Sequence, residues 1–305
     1  MKMRVLDHGY VEFIEAWGHG KVNQIFDDYC PRVDMEPGII EAARMSTQAS
    51  FRDWTALSAC DRCGAWTPAT GDGGDKGDES CSHEWKKFPR GDEGLLSFLY
   101  NSKPAHAGPF EFAGMTMEIQ CPLFVRSEHH RHRTQSYNEM SARYAPLPNL
   151  NYVPSVARLM MGGTHVTSNK QAQAAKGAGE LTLAGALRFQ ETLSAHYADA
   201  ETEYQRALTG GVPKELARAV IPVGRYTRFR ASANLRNWLA FMTLRYDPAA
   251  QWEIQEFAKV IGNVIAEVFP RTWRLFTEKR SVESAKDRAW AALAPEDQQR
   301  YLEQA

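Results

Sequence analysis

Residues 131 to 144 combine three arginines, a glutamate, an asparagine, a histidine and two serines with almost no aliphatic content. Such a segment is too polar for a protein core, because unpaired charge is costly to bury. If the chain is extended from Tyr137 onward, alternate side chains share a face, so Glu139, Ser141 and Arg143 would face one ligand. An arginine beside a hydroxyl suits phosphate, since the planar guanidinium matches two phosphate oxygens. The pattern therefore predicts a site for a phosphorylated, polar small molecule.

The histidines of this region leave three interpretations open. His129 and His130 directly precede Arg131-His132-Arg133, and imidazoles three residues apart can share a metal ion on one helix face. The alternation of basic and aromatic groups could instead contact nucleic acid, or the segment could be a solvated basic turn. Short motifs of this kind have appreciable false-positive rates, so spacing alone leaves all three open.

The same residues resemble the signature of the flavin-dependent thymidylate synthases. The resemblance is carried by Arg131, His132, Arg133, Ser136, Asn138, Glu139, Ser141, Arg143 and Tyr144. It extends to the segment from Ala42 to Ser46, to the segment from His106 to Glu111, and to the run from Gly211 to Gln255. That family methylates dUMP with methylene-tetrahydrofolate, FAD and NADPH. The resemblance implies the same reaction here, in a homotetramer with active sites between subunits.

The resemblance also implies a role for individual residues. Nucleotide binding is implied for Glu128, Arg131, Glu139, Ser141, Ala142, Arg143, Arg218 and Arg245. Contact with FAD, or with the folate beside it, is implied for Ser46, His106, Gly108, Glu111, Arg131, His132, Arg133, Glu139, Asn234, Arg236 and Ala240. Arg245 is the expected catalytic residue, because a fixed guanidinium against the uracil ring can stabilise the charge that develops there.

Several residues depart from the family pattern. Glu128 stands where family members often have Gln, Gly108 where Ser or Thr is usual, and Ala240 and Ala249 where some members have polar residues that help hold FAD. Glu128 and an insertion described below leave room for another outcome on the same fold. In that alternative, water captures the one-carbon unit and the product is a hydroxymethylated pyrimidine nucleotide, or the base that reacts is cytosine.

Some of these residues also have ordinary structural interpretations. Arg218 and Arg245 could be helical arginines whose stems cover apolar surface, and Asn234 could be a helix N-cap. Ser141 has no base at a suitable spacing, so we assign it to binding rather than nucleophilic catalysis. Cys121 lies between a predicted strand and Pro122, and we expect it to be a small buried residue.

A stretch rich in Gly, Asp and Lys, from Cys60 to Gly94, has too little apolar content to order itself, so we expect a surface-loop insertion. It contains Cys60-x2-Cys63 and Cys81-x-His83, two pairs that suit a tetrahedral zinc site of the Cys3His type. Zinc would give such a segment a fixed shape. The alternative is a disordered loop with incidental thiols, because the C-x-H spacing is atypical. A zinc-dependent nucleic-acid-binding protein is the corresponding functional alternative.

Composition excludes several other classes. The 305 residues are 43% hydrophobic and 24% charged with a net charge of -1, so no global field attracts nucleic acid or an anionic membrane. No apolar run approaches the roughly 20 residues needed to span a bilayer. The N-terminus is charged where a signal peptide is apolar, and five cysteines do not suit a secreted disulfide framework. We expect a cytoplasmic protein, without membrane contact and with nucleic acid an unlikely partner.

The predicted fold class is α+β, with a central mixed or antiparallel sheet packed by long helices. Apolar alternation predicts a strand over 115–120, and steps of three and four predict helices over 181–209 and 248–269. One catalytic domain over 1–280 would carry the insertion at 56–94. A peripheral helical extension would occupy 281–305.

Overall fold

The computed structural model describes residues 2–18, 34–47, 49–60, 62–69, 74–78, 80–161 and 181–291, without the side chains of residue 46 and of 282–291. Its strands are β1 Lys2–Val5, β2 Gly9–Trp17, β3 Leu57–Cys60, β4 Trp66–Pro68, β5 Trp85–Phe88, β6 Gly114–Pro122, β7 Ser136–Glu139 and β8 Tyr226–Asn234. Its α-helices are α1 Pro37–Arg44, α2 Gly91–Asn101, α3 Leu123–His129, α4 Val156–Met160, α5 Leu183–Thr209, α6 Lys214–Ala217, α7 Leu235–Arg245, α8 Trp252–Val268 and α9 Pro270–Ala291. Short 3-10 helices cover Met45–Thr47, Gly108–Phe112 and Arg218–Val220.

The chain forms two compact units, Met1–Ala16 with Gly114–Val264, and Trp17–Ala113 with Ile265–Ala305. The expected boundary at 280 lies within α9, and residues 292–305 of the expected extension lie outside the described part. Among the described helices, none combines the length and apolar sequence needed to cross a bilayer.

The first unit is built on a five-stranded sheet in the order β1-β2-β6-β8-β7. Strand β6 pairs antiparallel with β8 along its whole length, from Gly114 opposite Asn234 to Pro122 opposite Tyr226. The predicted alternation in β6 is confirmed, since Met115, Met117 and Ile119 are buried. Cys121 is buried at the end of the same strand, as expected. Together with the helices, this sheet confirms the α+β class.

Helix α7 follows β8 without an intervening loop. The Asn234 side chain accepts a hydrogen bond of 2.9 Å from the Asn237 N–H, so Asn234 is the N-cap of α7. The Trp238 indole donates to the Met115 carbonyl at 3.0 Å and ties the helix to β6. The sheet therefore fixes the direction of α7. Arg245 lies in the last turn of this helix.

The long predicted helices are present. Helix α5 ends at Gly210-Gly211, where Gly211 has φ +85°, a conformation that glycine adopts without strain. Helix α8 buries the predicted apolar positions Ile254, Phe257, Ile261, Val264, Ile265 and Val268. These helices were predictable because their apolar residues recur at the helical period.

In the second unit, Asp92 joins two segments that are distant in sequence. Asp92 is fully buried and forms an ion pair with Arg44, at the end of α1. Its carboxylate also accepts the Arg52 N–H at 2.7 Å, and its own N–H donates to the Asp53 carbonyl at 2.8 Å. Asp92, near the end of the insertion predicted over 56–94, thus joins that end to residues 52–53, which lie just before its start.

The insertion contains a three-stranded antiparallel sheet in the order β4-β3-β5. Leu57 and Ala59 of β3 are buried, and β3 turns into β4 through Gly64, which has φ +77°. The alternative of a disordered loop is therefore wrong for the described part of this segment, while its need for a metal stays a prediction. The overall composition did not predict these three short strands, because their aromatic residues, Trp66, Trp85 and Phe88, are spread along the sequence. Residues 71–73, in the Gly-rich centre, lie outside the described part.

Candidate active site

A turn after α3 presents the first residues of the predicted site. The His132 N–H donates to the His129 carbonyl at 3.1 Å, and the Gln135 N–H donates to the His132 carbonyl at 3.2 Å. The Tyr137 hydroxyl lies 3.0 Å from the His129 carbonyl and 2.9 Å from the His132 carbonyl. Because Tyr137 belongs to β7, its hydroxyl ties this turn to the sheet.

Arg245 is held by two residues of this region. Its Nη1 forms an ion pair with the Glu128 carboxylate, and its Nη2 donates to the Glu128 carbonyl at 3.1 Å. Its Nε donates to His132 Nε2 at 3.1 Å. The Arg245 side chain is only 16% exposed, so the guanidinium has a fixed orientation. The fold thus brings Arg245 to Glu128 and His132, which lie 117 and 113 residues earlier in the sequence.

His132 is neutral in this arrangement. Burial, with the adjacent Arg245 charge, lowers the pKa of His132 to about 4. The hydrogen bond from Arg245 agrees with this, because Nε2 can accept only when it carries no proton. The Arg245–His132 contact is therefore a cation beside a neutral acceptor.

His129 is a buried residue whose environment the sequence pattern did not predict. Its ring packs 4.5 Å from Phe241 and 5.2 Å from Phe229, centroid to centroid. Burial lowers the pKa of His129 well below its ordinary value. Among the described residues, the one group of three or more side chains able to hold a metal lies in the insertion. The interpretation of His129 and its neighbours as a metal site is therefore not supported.

The residues after Glu139 are not extended, so the shared face predicted from alternation is wrong beyond that point. Strand β7 ends at Glu139, and the Ser141 carbonyl accepts the N–H groups of Tyr144 and Ala145 at 3.0 and 3.1 Å. This turn buries Ala142 and leaves Arg143 exposed. Local hydrogen bonding of a Ser-containing turn outweighed the continuation of the strand.

Glu139 is part of a polar cluster within the sheet. Thr227 Oγ1 donates to its carboxylate at 2.7 Å, and Arg126 Nε lies 3.3 Å from the same oxygen. Thr227 is fully buried, and the Glu139 side chain is 23% exposed. The orientation of Glu139 is thus set by its neighbours.

A cleft of about 350 Å³ lies beside Arg143 and is lined by Tyr144, Pro213, Lys214 and Glu215. The Lys214 ammonium donates to the Tyr144 carbonyl at 3.1 Å. Arg218 is exposed and donates to the Glu215 carbonyl at 3.2 Å. Two cations, Arg143 and Lys214, therefore line the cleft together with the acidic Glu215, and of the two cations Arg143 was predicted from the sequence. Lys214 was missed, because a single lysine at the start of a short helix has no distinguishing pattern.

Arg131 and Arg133 are exposed on the turn after α3, and Arg236 is exposed in the first turn of α7. The Asn237 side chain donates to the Thr134 carbonyl at 3.0 Å, which joins that turn to the start of the helix. Ala240 is exposed one turn further along. Apart from Glu139 on β7, the predicted FAD residues of this unit thus belong to two elements that are hydrogen-bonded to each other.

The sequence matches a family model, "Thymidylate synthase complementing protein", over residues 33–271. The chain belongs to this family. It is 33% identical over 189 residues to a flavin-dependent thymidylate synthase of Pseudothermotoga lettingae, covering 62% of this chain and 77% of the relative. It is 35% identical over 195 residues to one of Thermus thermophilus, covering 64% and 67%. The chain is therefore an enzyme of the methyltransferase class that these synthases represent.

A solved structure of Streptomyces cacaoi PolB, a UMP/dUMP methylase bound with 5-Br dUMP, resembles this fold with a TM-score of 0.62 and 25% identity, over 90% of this chain and 97% of that one. A second PolB structure, bound with 5-Br UMP, gives a TM-score of 0.61 at 24% identity, over 91% and 97%. The predicted fold is thereby confirmed. Family membership favours the enzyme over the nucleic-acid-binding alternative.

The remaining predicted residues of this family member lie in the second unit. His106 is exposed and its ring stacks on Phe98, with centroids 5.6 Å apart. Gly108 and Glu111 belong to the 3-10 helix that follows. A Cβ added to Gly108 would have no atom within 4 Å, so the Ser or Thr usual at this position would fit. Ser46 lies in the 3-10 helix after α1, and its side chain is outside the described part.

The predicted metal ligands come together in the insertion. One ligand atom from each of Cys60, Cys63, Cys81 and His83 lies within 4.8 Å of all the others. The backbone N–H of Cys63 and the side chain of His83 lower the pKa of Cys60 to about 6. Burial and the neighbouring thiols raise the pKa of Cys81 to about 11. Four sequence positions predicted as one set are thus one cluster in space.

Proposed function

We propose that this enzyme methylates dUMP to dTMP, with methylene-tetrahydrofolate as the one-carbon donor, FAD as the cofactor and NADPH as the reductant. The observation that carries the proposal is the Arg245 guanidinium, fixed by Glu128 and His132 beside the motif that resembles the synthase signature. The family of the chain and the names of its relatives support the same reaction.

The cleft beside Arg143 suits the nucleotide phosphate. Arg143 can donate to two phosphate oxygens, and Lys214 adds positive charge at the same cleft. Arg218 is hydrogen-bonded to the carbonyl of Glu215, which also lines the cleft, and is the third proposed contact to the phosphate. The net charge of the chain is -1, so attraction of an anion depends on such a local cluster. Ser141, Ala142 and Glu139 precede Arg143 and are the proposed contacts to the rest of the nucleotide, together with Arg131 and Glu128.

Arg245 is the proposed catalytic residue. Its side chain is largely buried and pre-oriented, so a guanidinium N–H can stabilise negative charge on the uracil ring without reorganisation. Glu128 occupies part of the hydrogen-bonding capacity of Arg245. We propose that a bound pyrimidine competes with Glu128 for Arg245.

The donor set suits FAD. Exposed Arg131, Arg133 and Arg236 offer guanidinium groups for its pyrophosphate, and Asn234 and Ala240 lie on the same helix region. His132, Glu139 and, in the second unit, Ser46, His106, Gly108 and Glu111 are the other proposed contacts to flavin or folate. When bound, FAD would supply the redox chemistry, and the protein supplies orientation and charge.

The overall reaction balances without a further reactant. The methylene group of the folate is at the oxidation level of formaldehyde, so a methyl group at uracil C5 requires two more electrons. NADPH supplies them as a hydride, the C5 proton is released, and tetrahydrofolate leaves after its two nitrogens take up protons, so that the net reaction consumes one proton from solvent. If water captures the one-carbon unit instead, the product retains an added oxygen and needs no net reduction.

We propose that the enzyme acts as a homotetramer in the cytoplasm. Large apolar side chains are exposed in the first unit, among them Leu183 at 59%, Leu216 at 62% and Val223 at 70%. Exposed apolar surface of this kind commonly marks contact with another chain. Size-exclusion chromatography with light scattering tests the assembly, and a monomer at micromolar concentration would overturn it.

The experiment for the activity begins with the visible spectrum of the purified protein. We expect a yellow protein that releases FAD on denaturation. Incubation with dUMP, methylene-tetrahydrofolate and NADPH should give dTMP by mass spectrometry, and a parallel reaction with UMP tests the second nucleotide named for PolB. Hydroxymethylated product would replace the proposed reaction with its alternative. Failure to bind added FAD would overturn both.

A further inference from the structure

The four potential ligands of the insertion come from two segments at the same end of its strands. Cys60 is the last residue of β3 and lies opposite Trp85, the first residue of β5. Cys63 follows in the turn after β3, and Cys81 and His83 lie in the segment that leads into β5. The antiparallel register therefore brings the two pairs together.

Two backbone hydrogen bonds link the described residues on either side of the first pair. The Gly64 N–H donates to the Cys60 carbonyl at 3.0 Å, and the Cys60 N–H donates to the Ala65 carbonyl at 2.8 Å. Gly64 has φ +77°, which favours glycine over residues with a Cβ. The turn thus fixes the direction from which Cys60 and Cys63 approach the cluster.

The distances within the cluster suit a tetrahedral ion. With zinc–sulfur bonds of about 2.3 Å, two sulfurs on one tetrahedral zinc lie about 3.8 Å apart. The Cys60 and Cys81 sulfurs are 3.9 Å apart, and Cys63 Sγ is 3.2 Å from His83 Nδ1. All four cysteines described here, the three of the cluster and Cys121, are free thiols.

We propose that Cys60, Cys63, Cys81 and His83 bind one zinc ion, which holds the three-stranded sheet of the insertion in its fold. Three thiol groups and one imidazole select a soft or borderline metal such as zinc over calcium or magnesium. Four protein ligands fill a tetrahedral shell, which is typical of a structural rather than a catalytic zinc site.

The size of the insertion explains why it would need a metal. Independent domains shorter than about 40 residues usually depend on metals, disulfides or oligomerisation, and the insertion at 56–94 falls in that range. Its strands are only three or four residues long, and Trp85 of β5 is 46% exposed. The apolar interior of this sheet is small, so a bound ion would supply much of its stability.

The test uses the full chain, purified without chelator, dialysed after equilibration with zinc and analysed for metal. We expect roughly one zinc per chain in the wild type. Cobalt in its place should give visible ligand-field bands of tetrahedral coordination with thiolate ligands. Cys63→Ala and His83→Ala should each lose most of the zinc. Cys121→Ala removes a buried thiol outside the insertion and should keep it.

Limited proteolysis and flavin content provide independent readouts. Loss of zinc should open residues 60–94 to cleavage while FAD binding survives, because no proposed FAD contact lies in the insertion. Wild-type protein that retains no zinc, or that contains a Cys60–Cys81 disulfide by mass spectrometry, would overturn the proposal. Zinc retained by the double variant Cys63→Ala, His83→Ala would also overturn it. Failure of the proposed methylation reaction would leave these outcomes unchanged.

Discussion

Glu128 contacts Arg245 twice, through its carboxylate on Nη1 and through its backbone carbonyl, 3.1 Å from Nη2. Only the carboxylate contact depends on the identity of the side chain. The backbone contact and the His132 contact orient the guanidinium, while the carboxylate neutralises part of its charge. Exchanging Glu128 for the Gln that family members often have would therefore change the electrostatics of Arg245 more than the orientation of its guanidinium.

Replacing Arg245 with Lys keeps the charge but removes the planar donor set. We expect turnover to fall by roughly 100-fold or more, the scale for loss of one pre-organised donor to developing charge. Single-turnover product formation at saturating dUMP measures this change, with dUMP affinity measured separately. Unchanged turnover would remove Arg245 from catalysis.

Glu128→Gln removes the negative charge and keeps a side-chain acceptor of similar size. The freed charge of Arg245 should attract an anionic pyrimidine nucleotide more strongly, so we expect dUMP affinity to rise by roughly three- to tenfold. Isothermal titration with dUMP, at low and high salt, measures it. A loss of affinity would mean that the contact of Glu128 with the nucleotide outweighs its competition for Arg245.

Arg143→Ala and Lys214→Ala each remove a cation from the cleft beside Tyr144. A charge-assisted hydrogen bond is worth about 1.5–3 kcal/mol, so the KM for dUMP should rise roughly ten- to a hundredfold with little change in kcat. Lys259→Ala is a matched control, because Lys259 is an exposed lysine paired with Glu256 on α8. An equal effect in the control, or none in either variant, would argue against a phosphate site in this cleft.

His132 should make stability depend on pH in a defined window. Its pKa is about 4 in the folded chain and about 6.5 in an unfolded one. Between these values the unfolded chain binds a proton that the folded chain does not, so the free energy of unfolding falls as pH drops from 6.5 to 4. Histidine NMR titration of the flavin-free protein, with His132→Gln for assignment, measures the pKa. A value near 6.5 would contradict the buried, neutral state.

The site was predictable from sequence where chemistry follows residue type and spacing. Cys60, Cys63, Cys81 and His83 are the example, because their ligand spacing predicted one set and the fold brings them together. The catalytic role of Arg245 rests on the resemblance and stays a prediction. The turn at Ser141 was not predictable, since one carbonyl accepting two N–H groups decides it. Burial of His129 was also hidden, because it depends on Phe229 and Phe241, which are far away in sequence.

Asp92 holds the two ends of the insertion close together. Near the two ends of the insertion, residues 52–53 and Asp92 are joined by a hydrogen bond from the Arg52 N–H to the Asp92 carboxylate and by one from the Asp92 N–H to the Asp53 carbonyl, and Asp92 also pairs with Arg44. A segment whose two ends lie side by side can grow or shrink at little entropic cost, because closing a longer loop adds only slowly to the free energy. Mutations that change or remove the three-stranded sheet of the insertion therefore need not disturb the rest of its unit. Evolution can change the insertion separately from the catalytic residues.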